Sequence, residues 1–296
     1  MLKIYIDGQA GTTGLALEER LQQLKQSVAL EIMKIPDELR KDAKKRKELL
    51  NLADVVFLCL PDDAAIDAAS MIENPNTVII DASTAHRTDA DWAYGFPELS
   101  TQQLEKIKTS NKISVPGCHA TGFIALIHPL VEKGIVDVNA KLVCQSLTGY
   151  SGGGKELIEV YEQPNTVPDA AWMYSLGLTH KHLPEMKHWA GLINSPIFIP
   201  TVVPIHHGMI VSVPLNHNVT EVQMVLKNYY QGSKTIKVMD ANVVDNLGIT
   251  GEMSPEGIDI YVFGNDEQTV VSAKLDNLGK GSSGAAVQCM KVRLGL

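Results

Sequence analysis

The first eighty residues alternate short apolar runs with helical patterns, and few folds accept that order. Leu2 to Ile6 reads as a strand, Gly14 to Gln23 as a helix, Ala29 to Ile35 as a strand and Asp37 to Leu52 as a helix. Asp54 to Leu60, Ala64 to Ile72 and Thr77 to Ile80 continue the series as strand, helix and strand. A βαβαβαβ order requires right-handed crossovers, so it predicts a buried parallel sheet with helices on both faces. Ligands of such a sheet bind at the carboxyl ends of its strands.

The first of those ends carries Asp7-Gly8-Gln9-Ala10-Gly11-Thr12-Thr13-Gly14. Glycines Gly8, Gly11 and Gly14, with Thr12 and Thr13 between them, allow a tight turn that brings a pyrophosphate to the helix N-terminus. The spacing is G-x-x-G-x-x-G rather than G-x-G-x-x-G, and its position directly after the first strand makes it a dinucleotide signal. Near the end of the second strand, Lys34 and the following Arg40 suit a 2′-phosphate, which points to NADP(H). Asp37 would instead suit the free ribose hydroxyl of NAD. Further along the same sheet edge, Asp81-Ala82-Ser83-Thr84-Ala85-His86-Arg87 offers a guanidinium able to clamp a carboxylate or phosphate. An ordinary salt bridge from Arg87 to Asp89 or Asp91 would account for the residue equally well.

Cys118 lies in Pro116-Gly117-Cys118-His119-Ala120-Thr121, ahead of the apolar helical stretch Phe123 to Val131. A thiol at a helix start feels the positive end of the dipole and unpaired N–H groups, and both favour thiolate. The pattern therefore offers a nucleophile, where a buried packing cysteine is the commoner use. Cys59 and Cys144 fall in strand-like runs and read as core; with Cys289 they show no C-x-x-C pair, so neither zinc nor a disulfide framework is indicated. His206 and His207 lack a carboxylate partner for metal.

The texture changes after Cys118. Lys141 to Leu147, Ile197 to Ile205, Met209 to Leu215, Thr235 to Met239 and Ile258 to Phe263 read as strands of an α+β domain with a largely antiparallel sheet. Gly281-Ser282-Ser283-Gly284 opens a last helix, Ala285 to Val292, where Ser282 and Ser283 form a candidate cofactor contact or a plain N-cap. At 296 residues with 45% apolar content the chain can bury two cores. Its apolar runs fall short of a membrane span, and no export signal opens it, so a cytoplasmic location without a membrane partner is expected. A net charge of −8 argues against a nucleic-acid surface.

Several of these segments together resemble the N-acetyl-gamma-glutamyl-phosphate reductase family, in its shorter form, which is grouped with aspartate-semialdehyde dehydrogenase. They are Pro116 to Thr121, Asp81 to Arg87, Tyr94 to Leu99, Gly149 to Lys155, His180 to Met186 and Asp276 to Gly284, in the family's order. The resemblance implies a Rossmann-type NADP-binding domain from residues 1–117 and 281–296, with a catalytic and subunit-contact domain from residues 118–280. It implies Cys118 as nucleophile and His182, within His182-Leu183-Pro184-Glu185, as the acid/base group. It also implies Arg87, Ser83, Lys155 and His207 near the substrate, Ser151, Gly152 and Gly153 near the cofactor, and a dimer or tetramer. Pro61-Asp62-Asp63 departs from the Pro-His pattern of the longer form, and His206-His207 stands where Arg-Gly is common.

The implied activity is NADPH-dependent reduction of N-acetyl-L-glutamyl 5-phosphate to N-acetyl-L-glutamate 5-semialdehyde and phosphate, in arginine biosynthesis, through a Cys118 thioester. His182 would take the thiol proton and later protonate the tetrahedral oxygen. The sister activity, aspartate-semialdehyde dehydrogenase or another acyl-phosphate reductase, shares this core. A non-enzymatic NADP-binding regulatory protein would share the glycine turn but not the need for Cys118 and His182. His119 and His180 read as decoys: neighbouring side chains on a helix diverge, and His180-Lys181-His182 is read as a strand or loop with only one of its two histidines facing the site.

Overall fold

The computed structural model describes residues 1–163, 170–251, 253, 254 and 256–296. Its contacts divide the chain into two units: Met1–Pro116 with Ser282–Leu296, and Gly117–Gly281.

In the first unit the strands β1 (Leu2–Asp7), β2 (Leu30–Met33), β3 (Val55–Leu58) and β4 (Val78–Asp81) alternate with the helices α1 (Thr12–Leu24), α2 (Ala43–Leu52) and α3 (Asp62–Ser70). Two short strands, β5 (Ala93–Tyr94) and β6 (Lys112–Ser114), flank α4 (Thr101–Thr109) and complete a parallel sheet of order β2-β1-β3-β4-β6-β5. The expected doubly wound sheet is present. Residues of β1 separate two cores, because alternate side chains of a strand face opposite ways. Ile4 and Ile6 join Leu17, Leu21, Phe57 and Ile113 on one side, while Tyr5 joins Leu49, Leu50, Val56 and Ala65 on the other.

Two details differ from the sequence reading. The expected helix over Asp37 to Leu52 is broken: a single 3-10 turn spans Asp37–Leu39, and α2 begins only at Ala43. Asp42 accounts for the break, since its carboxylate accepts the Lys45 N–H at 2.8 Å and caps a new helix start. Strands β5 and β6 were not expected, because two or three residues are too few to show a period.

In the second unit, α5 (Cys118–Glu132) precedes β7 (Val143–Gly149), α6 (Gly154–Glu162), β8 (Trp172–Met173), α7 (Leu183–Ala190), β9 (Ile197–Val203) and β10 (Met209–Leu215). Then come α8 (Val219–Tyr229), β11 (Ile236–Val238), β12 (Ile258–Gly264) and β13 (Thr269–Leu275). The sheet runs β11-β12-β13-β10-β7-β9-β8 and is mixed: β11–β12 and β7–β9 pair in parallel, the other neighbours antiparallel. Helix α5 is buried along most of its length and lies on one face, where a Cβ at Gly122 would meet the Val211 side chain at 2.6 Å. The chain ends in α9 (Gly284–Leu294), which belongs to the first unit and buries Val287, Cys289 and Met290 in its core.

Candidate active site

At the carboxyl end of β1 the chain must turn back under β3. Gly8 adopts φ +96°, and a Cβ there would stand 2.2 Å from the Cys59 carbonyl oxygen, so only glycine fits. Gly11 caps α1 without a side-chain hydrogen bond, and no acidic residue occupies the first turn, Thr12, Thr13 and Gly14 included. The N–H groups of that turn are thus aimed at an anion. The side-chain amide nitrogen of Gln9 is buried in the same turn with no hydrogen-bond partner among the described residues. A dinucleotide pyrophosphate fits this cradle. The Asp7 carboxylate would repel it, but Arg46 binds Asp7 at 2.7 Å and neutralises it. That Asp7–Arg46 pair was not read from the sequence, since 39 residues separate its members.

Lys34 and Arg40 both reach acidic neighbours. Lys34 Nζ lies 2.8 Å from Glu18 on α1, and Arg40 lies 3.2 Å from Asp37. Along the same sheet edge, Asp81 is fully buried and gathers its own loop. It accepts the Ser83 N–H at 2.9 Å and the Ser83 hydroxyl at 2.6 Å, and His86 Nδ1 lies 2.7 Å from its second oxygen. His86 stacks on Trp92 at 3.9 Å. Arg87 follows, buried, and donates from Nε to the Val115 carbonyl at 2.9 Å and from a terminal nitrogen to the Ala82 carbonyl at 3.1 Å. In the same unit Ser283 is buried and accepts from Arg20 Nε at 3.0 Å, beside the partly exposed Ser282.

The second unit holds the thiol. Cys118 is the first residue of α5, with Gly117 as an N-cap that makes no side-chain bond. The Gly117 N–H donates to Glu185 Oε1 at 2.8 Å, and Glu185 is buried in the first turn of α7. A Cβ on Gly281 would stand 2.7 Å from the Cys118 Cβ, so the closing glycine motif packs against the thiol residue. Burial pushes the Cys59 thiol up to about 12 and raises the Cys144 thiol too, leaving both as poor nucleophiles at neutral pH. The four cysteines form no disulfide.

His182 is buried at the N-cap of α7. Its ring lies 4.7 Å from His180 and 5.5 Å from His119, the residue after the thiol, and His119 and His180 are 5.5 Å apart. The three rings thus gather in one place, a clustering that the reading of His119 and His180 did not anticipate. The chain turns at this point, with the Leu183 N–H bonded to the His180 carbonyl at 3.0 Å, and the His182 N–H donates to His180 Nδ1 at 3.1 Å, which holds the two residues together. His119 Nδ1 contacts Ser146 Oγ and Nε2 contacts Tyr174 OH, each at 2.8 Å. Burial pushes the His119 pKa down to about 3, with His180 adding to the shift. The ring is neutral at working pH, and its stabilising contribution is lost as pH falls from about 6.5 toward 3. Tyr174, Ser146 and Glu185 were not singled out from the sequence, because only the fold gathers them.

The remaining candidates of this unit are Ser151, Gly152, Gly153, Lys155 and His207. Ser151 is buried and accepts from Asn277 Nδ2 at 2.9 Å, Gly152 and Gly153 are exposed, and Lys155 is exposed with Glu159 3.8 Å away. His207 is exposed beside His206, which packs edge-on against Tyr150 at 5.4 Å.

Residues 5–107 match the family described as "Semialdehyde dehydrogenase, NAD binding domain", and residues 118–277 match "Semialdehyde dehydrogenase, dimerisation domain". N-acetyl-gamma-glutamyl-phosphate reductase 2 of Nostoc sp. is 40% identical, covering 99% of this chain and 97% of that protein. A protein of the same name from Pseudomonas putida is also 40% identical, covering 99% and 96%. Among solved structures, a probable aspartate-semialdehyde dehydrogenase from Pseudomonas aeruginosa shares the fold at TM-score 0.72 and 14% identity, covering 99% and 98%. The Candida albicans aspartate semialdehyde dehydrogenase with NADP does so at TM-score 0.68 and 15% identity, covering 99% and 98%.

Proposed function

Because the chain belongs to the N-acetyl-gamma-glutamyl-phosphate reductase family, we propose that it reduces N-acetyl-L-glutamyl 5-phosphate to the 5-semialdehyde in arginine biosynthesis, with NADPH as reductant. The observation that carries this reading is a thiol at the start of a buried helix, one residue before a histidine that packs with two others, on a chain that also carries a dinucleotide turn.

Cys118 Sγ loses its proton to His182 and attacks the acyl carbon. The bond to the phosphate oxygen breaks, phosphate leaves, and a thioester remains on Cys118. The N-terminus of α5 favours the thiolate before attack, and the Glu185 bond to the Gly117 N–H keeps the loop ahead of the thiol in place. Bound nicotinamide supplies the hydride that reduces the thioester carbon. His182 then donates its proton to the tetrahedral oxygen and recovers it as the C–S bond breaks, releasing the aldehyde and the thiolate. Gly8, Gly11 and the first turn of α1 hold the pyrophosphate, with Ser282 and Ser283 as further cofactor contacts. The family resemblance assigns Ser83, Arg87, Lys155 and His207 to the substrate anion, and Ser151, Gly152 and Gly153 to the cofactor. Mixing the protein with acyl phosphate alone tests the first half: intact mass should show an N-acetylglutamyl adduct on Cys118 with release of phosphate. An unmodified protein would refute the thioester.

Lys34 and Arg40 read the 2′-phosphate. Their present ion pairs are solvent-exposed, and exposed pairs are worth about 0–1 kcal/mol, so a phosphate can displace them. Lys34→Ala and Arg40→Ala should each raise the Kd for NADPH about five- to tenfold and leave NADH nearly unchanged. Calorimetric titration with both dinucleotides checks this, and equal losses would reject the assignment.

The face of the second sheet opposite α5 carries Leu147, Ile197, Ile199, Tyr261, Phe263 and Val270, all at least partly exposed. We assign this face to subunit contact, in keeping with the dimerisation family matched over residues 118–277. Light scattering at micromolar concentration should return a dimer or tetramer, and a monomer would remove the assignment. No described helix is long and apolar enough to cross a membrane. The reading places the enzyme in the cytoplasm, where reducing conditions keep a nucleophilic thiol available.

A further inference from the structure

We propose that His119 is a positioning residue, a neutral imidazole that bridges Ser146 to Tyr174 and so fixes both the Tyr174 hydroxyl and the histidine pair around the thiol. The proposal rests on the reading of Cys118 as the nucleophile. It concerns a side chain that is buried from solvent and bonded on both ring nitrogens to protein hydroxyls.

Both ring nitrogens of His119 have a hydroxyl at 2.8 Å. A neutral imidazole is a donor at one nitrogen and an acceptor at the other, and a hydroxyl can meet either need. The three groups thus form a chain in which every bond is complementary without a charge. Its members come from three places: His119 from the first turn of α5, fully buried Ser146 from β7, and Tyr174 from just beyond β8, where its N–H bonds the Pro200 carbonyl of β9 at 3.1 Å. One ring ties these elements together one residue from the nucleophile.

The faces of the same ring make a wall. His180 and His182 each lie 5.5 Å from it, and Phe198 lies 5.1 Å from both His119 and His180. Tyr174 lies in the field of Cys118, whose charge adds to the burial that raises the phenol pKa. A hydroxyl whose dipole is held toward a thiolate stabilises it, and a loosened hydroxyl does not. His119 therefore acts through Tyr174 and His182 rather than on the substrate.

Two variants separate this role from packing. His119→Phe keeps a ring against Phe198 and the histidines but removes both nitrogens. His119→Gln keeps an amide that reaches Tyr174. The first readout is the pH profile of Cys118 alkylation by iodoacetamide, which needs no substrate. His119→Phe should slow alkylation at pH 7 about tenfold and move its midpoint upward, while His119→Gln stays within about twofold of the native protein. The second readout is turnover: His119→Phe should lower kcat about 30-fold with KM changed less than about threefold, and His119→Gln should recover most of the loss. A native alkylation profile and kcat in His119→Phe would overturn the proposal, as would equal losses in both variants together with equal falls in Tm. If the native protein fails to turn over the acetylated substrate but the alkylation difference stands, the reaction assignment falls and the positioning role survives.

Discussion

Cys118→Ser is expected to abolish turnover, by at least about 10⁴-fold in kcat, while NADPH binding stays within about twofold of the native protein. The side chains differ by one atom, so α5 and its bond from Gly117 to Glu185 should persist. The difference is chemical. A serine hydroxyl at the head of a helix remains almost wholly protonated near neutral pH, whereas a thiol there is readily ionised. The glycine turn proposed for the pyrophosphate belongs to the other unit, and none of the residues proposed for the cofactor is Cys118, so binding and chemistry should separate. Stopped-flow absorbance with dinucleotide fluorescence as the binding control measures both. Retained activity would end the thioester mechanism, and lost binding would show that the substitution had disturbed more than the nucleophile.

His182→Asn should lower kcat by about 10²- to 10⁴-fold, the range for removal of a general acid–base group. Asparagine suits the position, because residue 182 is the N-cap of α7 and asparagine is among the best N-caps. The fold and the neighbouring Glu185 should therefore survive. A lower rate alone would not establish the role, so the pH profile decides. The native enzyme should lose kcat/KM toward acid pH, since a protonated ring cannot accept the thiol proton. The variant should lose that limb. His119 cannot replace it: held near 3 by burial, it stays neutral throughout the accessible range. An unchanged profile would exclude His182 as the proton acceptor.

Much of the first unit was legible from sequence because its strands are buried on both faces and read as continuous apolar runs. Phe57 in β3 and Ile80 in β4 belong to such runs. The exceptions have local causes. Asp42 splits a helical pattern by capping, and β6 and β5 owe their places to successive pairing beyond β4 rather than to any period of their own. The place of Cys118 at a helix start was legible because a helix N-terminus is a local feature, and the glycine turn because Gly8 must avoid the Cys59 carbonyl. The groups around Cys118 were not. Ser146, Tyr174 and Glu185 lie tens of residues from it and converge only when α5, β7, β8 and α7 pack together. The contact between His180 and His182 was not legible because it depends on a local turn, closed by the Leu183 N–H on the His180 carbonyl and by the His182 N–H on the His180 ring.

The most direct test of the central claim is NADPH formation by the purified protein from N-acetyl-L-glutamate 5-semialdehyde and NADP, with and without phosphate, with aspartate semialdehyde as the comparison substrate. Phosphate-dependent NADPH formation with the acetylated substrate, and little with aspartate semialdehyde, is the predicted result. Activity confined to aspartate semialdehyde, or none with either, would contradict it.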